Sequence, residues 1–307
     1  MTNPLPIRIK TISQCHQAMG IPKPEHPLIS VINFDSFTQK PFNEPVSFIY
    51  DFYAIYLKRI TNAKFKYGHQ SSDFDEGLLF FMAPNQLFSI EVEKGETLKP
   101  SGWAILIHPD FIWNTTLART IKQHEFFNYS VNEALYLSLK EEKKIVSIIK
   151  SIQQEYQFNI DKFSQQIIIS QVETLLNFSE RFYHRQFITR KKTNHQILTR
   201  LEDVLTKYFD NNDLIAKGLP TVQFIADTLN ISPNYLSDVL KVLTGESTQQ
   251  HIHGKLIEKA KEKLSSTDLS ISEIAYGLGF EHPQSFTKLF KAKTNLSPLK
   301  FRNSFNF

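Results

Sequence analysis

The sequence holds one cysteine, Cys15, among 307 residues, and only two tryptophans, three methionines and ten glycines. One thiol excludes a disulfide framework and a thiolate metal cluster. Cys15 has no His or acidic partner marking it as a nucleophile, so an inert thiol is expected. No apolar run approaches the roughly 20 residues of a membrane span. The first twenty residues lack the apolar core of a secretory signal, and a soluble cytoplasmic protein is expected. Neither sign of charge dominates, at 35 Lys and Arg against 31 Asp and Glu, but the balance is uneven. Before Arg185 there are 18 basic and 19 acidic residues; from Arg185 onward there are 17 and 12. The length predicts two domains, each able to bury a core.

Between Leu219 and Arg302 the chain says the same thing twice. Ile225-Ala226, Leu229, Ile231, Leu236, Leu240-Lys241, Thr244-Gly245 and Ser247 return as Ile274-Ala275, Leu278, Phe280, Phe286, Phe290-Lys291, Thr294-Asn295 and Ser297. The front of each unit repeats at an offset of 49 and the back at 50, so the second turn holds one extra residue. Two copies are too few for a solenoid, and two related helix-turn-helix units, about 221–244 and 270–294, are expected. In the first, Thr221 is the N-cap, Asn230-Ile231-Ser232 the turn, and Ser232-Pro233 the restart. The second opens on Ser270-x-x-Glu273, a capping box, and turns at Gly279 with Phe280 as its plug. Ala226 and Ala275 sit where crossing helices need a small side chain.

On the second helix of each unit, Leu236, Leu240 and Leu243, then Phe286, Leu289 and Phe290, point inward. Opposite them Asn234, Ser237, Asp238 and Lys241 form a stripe, and the same register in the second unit gives Gln284, Thr287, Lys288 and Lys291. Short or forked hydrogen-bonding groups beside a cation are what base edges and phosphates require of a helix in the major groove. A single such stripe is equally a solvated polar face; two in matched register favour double-stranded DNA. Asn234, Ser237, Asp238, Gln284, Thr287 and Lys288 are the candidates for base contact, and Lys241 and Lys291 for phosphate. Asp238 accepts from cytosine but repels phosphate, or pairs with Lys241 and touches no DNA.

Ser232-Pro-Asn-Tyr-Leu-Ser, Thr244-Gly245, Ile257-Glu-Lys-Ala-Lys261, Ser270-Ile-Ser-Glu-Ile-Ala-Tyr276, Gly279-Phe280, Phe286, Phe290-Lys291 and Ser297-Pro298 resemble the DNA-binding domain of AraC/XylS-family transcription regulators. The resemblance covers about ninety residues. It implies a linker helix, here about Gln249 to Leu264, that sets the two readers in successive major-groove faces about 34–36 Å apart. It also implies a sensing and dimerising domain before the DNA-binding one, contact with RNA polymerase, and a nucleoid-associated place in the cell. Asp238 departs from the family pattern, in which a long polar residue is common, so the first unit is expected to read weakly.

The remainder divides by period. Residues 1–45 are Pro-rich and read as an irregular lead-in with short extended pieces. Phe48 to Leu57, Gly77 to Ala83, Phe88 to Val92 and Trp103 to Ile107 read as strands separated by turn signals. A small barrel or sandwich over about 28–128 is expected, and the looser family resemblance implies a cupin-like domain. From 132 to 185 the period is helical, with Ser138-x-x-Glu141 and Asp161 as helix starts and more apolar residues than one stripe needs. Either both stripes pack on the strands or, as the resemblance implies and as is expected here, one packs there and the other, over 138–185, meets a second subunit in a homodimer. The whole is an α+β chain in two domains, 1–188 and 196–307, with 189–195, including Arg190, Lys191 and Lys192, as a polar link.

No catalytic constellation emerges. His69 with Asp73, Asp75 and Glu76 lacks a second His and reads as a solvated loop rather than a metal site. His108-Pro109-Asp110 reads as a turn after a strand. His251 and His253 are two apart on a helix and face different ways, so no metal or cofactor is expected. An alkyl-transfer repair enzyme fused to this module needs a nucleophilic Cys that Cys15 does not supply. The expectation is a non-enzymatic regulator with an unknown small-molecule effector; the alternative is a first domain that serves only dimerisation or partner-protein contact.

Overall fold

A computed structural model of the chain describes residues 6–36, 46–58, 77–90, 101–129, 133–157, 161–189, 191–210, 214 and 217–304. It forms two compact units, Met1–Gln186 and Phe187–Phe307. His69, Asp73, Asp75 and Glu76 lie outside the described residues.

The first unit is built on two sheets. Strands β1 (Ile7–Ile9), β3 (Val46–Tyr50) and β6 (Leu87–Ile90) form one, in the order β1-β3-β6. The other runs β2-β7-β4-β5-β8, from β2 (Ile29–Asn33), β4 (Tyr53–Lys58), β5 (Leu78–Met82), β7 (Trp103–Ile107) and β8 (Leu135–Tyr136). Every pair in this larger sheet is antiparallel. Alternation sends Ala54, Tyr56, Phe80, Met82, Ala104 and Leu106 to one face, where they join Phe48 and Tyr50 of the small sheet in a single core. On the other face Ile55, Leu57, Leu79, Phe81 and Ile105 are equally buried. Helices α3 (Leu139–Gln157) and α4 (Ser164–Thr189) belong to the cover there. Tyr156 of α3 accepts from the Val31 amide at 2.8 Å, and Tyr183 of α4 lies 6.4 Å from the Phe81 ring. A sheet buried on both faces explains strands that read as unbroken apolar runs.

Three expectations change here. Phe48 to Leu57 is two strands in different sheets, not one. The chain bends at Asp51-Phe52, where the Asp51 carboxylate meets Arg8 at 2.7 Å and its amide donates to Ile9. The expected barrel or sandwich narrows to the second, since among the described residues the strands make two sheets over one core and no closed barrel. The Pro-rich lead-in holds β1 and α1 (Ile12–Met19), because Thr11-x-x-Gln14 is a capping box and Gly20, at φ 69°, supplies a left-handed stop. On α1, His16 is buried with its ring bridging the Pro22 carbonyl and the Ser30 hydroxyl, and desolvation lowers its pKa.

The apolar load of α3 and α4 is mostly internal. Ile145, Ile149, Ile152, Ile168, Val172, Leu175 and Leu176 are buried, while Phe163 and Ile167 keep 58% and 40% of their surface exposed. Ser138 and Asp161 open these helices as expected, through the bond from Ser138 N to Glu141 and that from Ser164 N to Asp161. The pair α2 (Thr116–Thr120) and the neighbouring 3-10 turns carry Phe126 and Phe127 onto the Phe81 ring.

The second unit is helical throughout: α5 (Lys191–Asp210), α6 (Val222–Leu229), α7 (Pro233–Thr244), α8 (Thr248–Ser266), α9 (Ile271–Gly277), α10 (Pro283–Thr294) and α11 (Pro298–Asn303). The link expected over 189–195 is helical on both sides of residue 190, since α4 ends at Thr189 and α5 begins at Lys191. No Pro or Gly lies between residues 178 and 217, so nothing in the local chemistry stops a helix there. No helix among the described residues is long and apolar enough to cross a membrane.

Candidate nucleic-acid interface

The duplicated sequence becomes duplicated geometry. Thr221 caps α6 by accepting from the Phe224 amide at 3.1 Å. Asn230 ends α6 in the left-handed region at φ 57°, and the Ile231 amide donates to Ala226 O at 3.1 Å. Ser232 then caps α7, accepting from the Tyr235 amide, with Pro233 in the first turn. In the second pair the Phe280 amide donates to Ala275 O, also at 3.1 Å, so the offset of 49 holds bond for bond. Ser270 and Glu273 form the expected reciprocal box, which holds the Glu273 carboxyl below the usual carboxylate range. The ends match as well: Gly245 at φ 77° and Asn295 at φ 59° close α7 and α10, each donating to a lysine carbonyl at 2.9 Å.

The pairs cross on small residues, with Ala226 and Ala275 fully buried beside Ile225 and Ile274. Leu236, Val239 and Leu240 of α7, and Phe286 and Phe290 of α10, fill the core; Leu243 and Leu289 are only half-buried. One contact was invisible in the sequence. A Cβ built on Gly279, at φ +82°, would stand 2.7 Å from the Leu214 carbonyl and 3.1 Å from the Gly218 Cα. The second turn is therefore pinned against the segment that follows α5, where Tyr208 donates to the Gly218 carbonyl at 3.0 Å.

Helix α8 spans the two pairs with Ile252, Leu256, Ile257, Ala260 and Leu264 buried, starting one residue before the expected Gln249. At 19 residues it is about 28 Å long. Arg302 of α11 donates to the Leu264 and Leu269 carbonyls at its far end. His251 bonds Thr244 at 2.9 Å and His253 lies 3.0 Å from Gln249, so the two rings serve different partners. Burial, then the charge of Lys293, lowers the His253 pKa. Among the described residues no cluster of His, Cys, Asp and Glu could hold a metal. Cys15 is buried, which pushes its thiol up to about 12.

The two polar stripes differ in state. On α7, Asn234, Ser237 and Asp238 are half-buried. The Ser237 hydroxyl sits 3.0 Å from that of Thr248 on α8, and Asp238 meets Lys241 at 3.4 Å. On α10, Gln284, Lys288 and Lys291 are exposed, and the half-buried Thr287 donates to the Pro283 carbonyl at 3.0 Å. Two residues were missed. Thr248, the partner of Ser237, lies on another helix and no spacing rule points to it. Lys293, a third exposed cation on α10, was open to a count of charges.

The first unit offers a second place to look. The Lys58 ammonium lies over the Phe80 and Phe88 rings, 5.3 and 5.8 Å from their centres, and burial lowers its pKa to about 8. Beneath it Tyr56 stacks on Phe80 at 4.9 Å and on Phe34 at 6.4 Å.

Residues 225–304 match a protein family described as a helix-turn-helix domain. The chain is 31% identical over 144 residues to the HTH-type transcriptional regulator YfiF of Bacillus subtilis, covering 47% of this chain and 42% of that one. It is 31% identical over 116 residues to the xylose operon regulatory protein of Escherichia coli K12, covering 38% and 29%. The chain thus spans less than half the length of these curated relatives. Among solved structures it is similar to the C-terminal domain of AraT, a response regulator from Geobacillus stearothermophilus, at 33% identity and a TM-score of 0.31. That likeness covers 35% of this chain and 84% of the other.

Proposed function

We propose, for a chain whose C-terminal part is an AraC-type helix-turn-helix domain, that the protein is a sequence-specific regulator of transcription acting on double-stranded DNA. The relatives it matches are named as transcription regulators, and in this reading the chain is a regulator rather than an enzyme. The observation that carries the reading is the bond-for-bond repeat of the two helix pairs, each presenting a polar stripe on its second helix. In this reading α7 and α10 enter successive major-groove faces, with α8 as the spacer. Gln284 bonds adenine and Lys288 donates to guanine, each worth about 1–3 kcal/mol of discrimination. Asn234, Ser237, Asp238 and Thr287 are the further base candidates, and Lys241 and Lys291 hold phosphate. Bound protein then recruits or blocks RNA polymerase.

The first unit is read as a cupin-like domain that dimerises through residues 138–185 and senses a small molecule. Lys58, a cation set over aromatic rings, favours a ligand. A second reading, dimerisation or partner contact alone, is favoured by the stacked Phe34, Tyr56 and Phe80 rings that occupy the space between the sheets. Native mass spectrometry of the purified chain separates the two by the presence of a retained small molecule.

Mapping of bound genomic sites tests the main reading. The expected outcome is a motif in two parts about 10–10.5 base pairs apart. Absence of any enriched site, together with no binding of genomic fragments at low salt, sinks it.

A further inference from the structure

The two helix pairs share a backbone plan but not an electrostatic one. Residues 196–247, which hold α6 and α7, carry four Lys and Arg against seven Asp and Glu; residues 248–307 carry nine against five. The first half is thus net negative and the second net positive. The contrast is sharpest on the two helices proposed to enter the grooves. Helix α7 has one cation, Lys241, and one anion, Asp238, which meet each other at 3.4 Å. Helix α10 has Lys288, Lys291 and Lys293, all exposed, and no acidic residue.

The hydrogen-bonding groups follow the same division. Ser237 shares a bond with Thr248 across to α8, so reaching a base means releasing that partner. Thr287, its counterpart on α10, bonds only within its own helix, to the Pro283 carbonyl, and Gln284 is exposed where the matching Asn234 is half-buried. Phosphate contact dominates the affinity of proteins for DNA, and its strength scales with the number of cations placed against the backbone. Equal engagement of both pairs therefore does not fit a half that is net negative.

We propose that the helix pairs divide the work: α10 anchors the protein on DNA through Lys288, Lys291 and Lys293, and α7 adds base contacts only after Ser237 and Asp238 leave their internal partners. This rests on the DNA-binding reading above and assigns each half its part in it. A site mapped for the protein accordingly has one strong half and one that tolerates base changes.

The test uses the full chain and a labelled random-sequence duplex, with affinity followed from 50 to 200 mM salt. The triple variant Lys288→Gln, Lys291→Gln, Lys293→Gln is compared with Lys10→Gln, Lys23→Gln, Lys122→Gln, which removes the same charge from exposed positions of the first unit outside the proposed dimer segment. On a random-sequence duplex Lys288, which reads guanine at a specific site, joins Lys291 and Lys293 against phosphate. Losing the three contacts lowers the salt slope by about 2.7, equivalent to roughly a 40-fold smaller drop in affinity across that range. The first-unit variant keeps a slope near that of the parent. Asp238→Asn tightens binding, since it removes a carboxylate facing phosphate. If the α10 and first-unit variants lose slope equally, or if Asp238→Asn weakens binding, the division is overturned. If the parent chain binds no duplex at 50 mM salt, the DNA-binding reading falls, and this proposal with it.

Discussion

In the C-terminal unit most elements are held by neighbours three or four positions away, whereas in the N-terminal unit they are held by residues far along the chain. Thr221 with Phe224, Ser232 with Tyr235 and Ser270 with Glu273 each fix a helix start within one turn. The sheet unit instead ties Val31 to Tyr156, Glu141 to Arg185 at 2.7 Å, and Tyr53 to Ile107. Local capping survives as a plan even when its surroundings vary, so it can be copied; strand register cannot, because it depends on the whole face. The two helix pairs accordingly share their caps and turns. It also means that the helical unit is most vulnerable where its copied pieces meet something that is not copied.

Gly279 is such a place and gives the largest expected effect. Gly279→Ala puts a Cβ against the Leu214 carbonyl at a left-handed φ, a loss of about 3 kcal/mol or more. Both tryptophans, Trp103 and Trp113, belong to the first unit. The variant should lower the thermal midpoint read by circular dichroism at 222 nm while tryptophan fluorescence holds its transition. Parallel shifts of both signals would remove the distinction between the units. Next comes Ala275→Leu at a fully buried crossing, expected to cost about 1–3 kcal/mol by urea unfolding. Ala226→Leu should cost a similar amount, and a large disparity would mean that the two crossings are not equivalent.

A probe of the other side of the comparison is Tyr156→Phe. It leaves the edge strand β2 without the hydroxyl that both accepts from Val31 N and donates to Val31 O. About 1–2 kcal/mol should be lost, this time in the tryptophan signal. Smallest is Ser270→Ala, at about 1 kcal/mol of helix capping. Its signature is a pH effect. The Glu273 carboxyl is held below its ordinary range by bonds from Ser270, so its contribution is complete above the unfolded pKa and fades as pH falls through the lower, folded one. Removing Ser270 should flatten that acid limb of the stability curve.

The degree to which the structure was legible follows the same line. The caps at Thr221, Ser232 and Ser270, the left-handed Asn230 and the starts at Ser138 and Asp161 were all readable, since each is a property of four or five adjacent residues. Even the misread lead-in carried its signal, as Thr11-x-x-Gln14 and Gly20 are local features passed over for the prolines around them. The division of Phe48 to Leu57 was half-readable: Asp51 interrupts the apolar run, but only the approach of Arg8 and Ile9 makes it a corner. The candidate interface was legible in its positions and not in its state. Periodicity places Ser237 and Asp238 on one stripe, yet nothing within α7 says that Thr248 holds one of them.

By itself the amino-acid order determined two matched helix pairs, their caps and turns, the small residues at each crossing and the drift from acidic to basic along the last hundred residues. These need only a repeating pattern and a backbone with one low-energy choice at each turn. The tertiary structure decided which strands share a sheet, that Gly279 lies against Gly218, and which polar groups of α7 are already engaged. Those outcomes depend on contacts between residues remote in sequence, whose free energy exists only once the chain has closed upon itself.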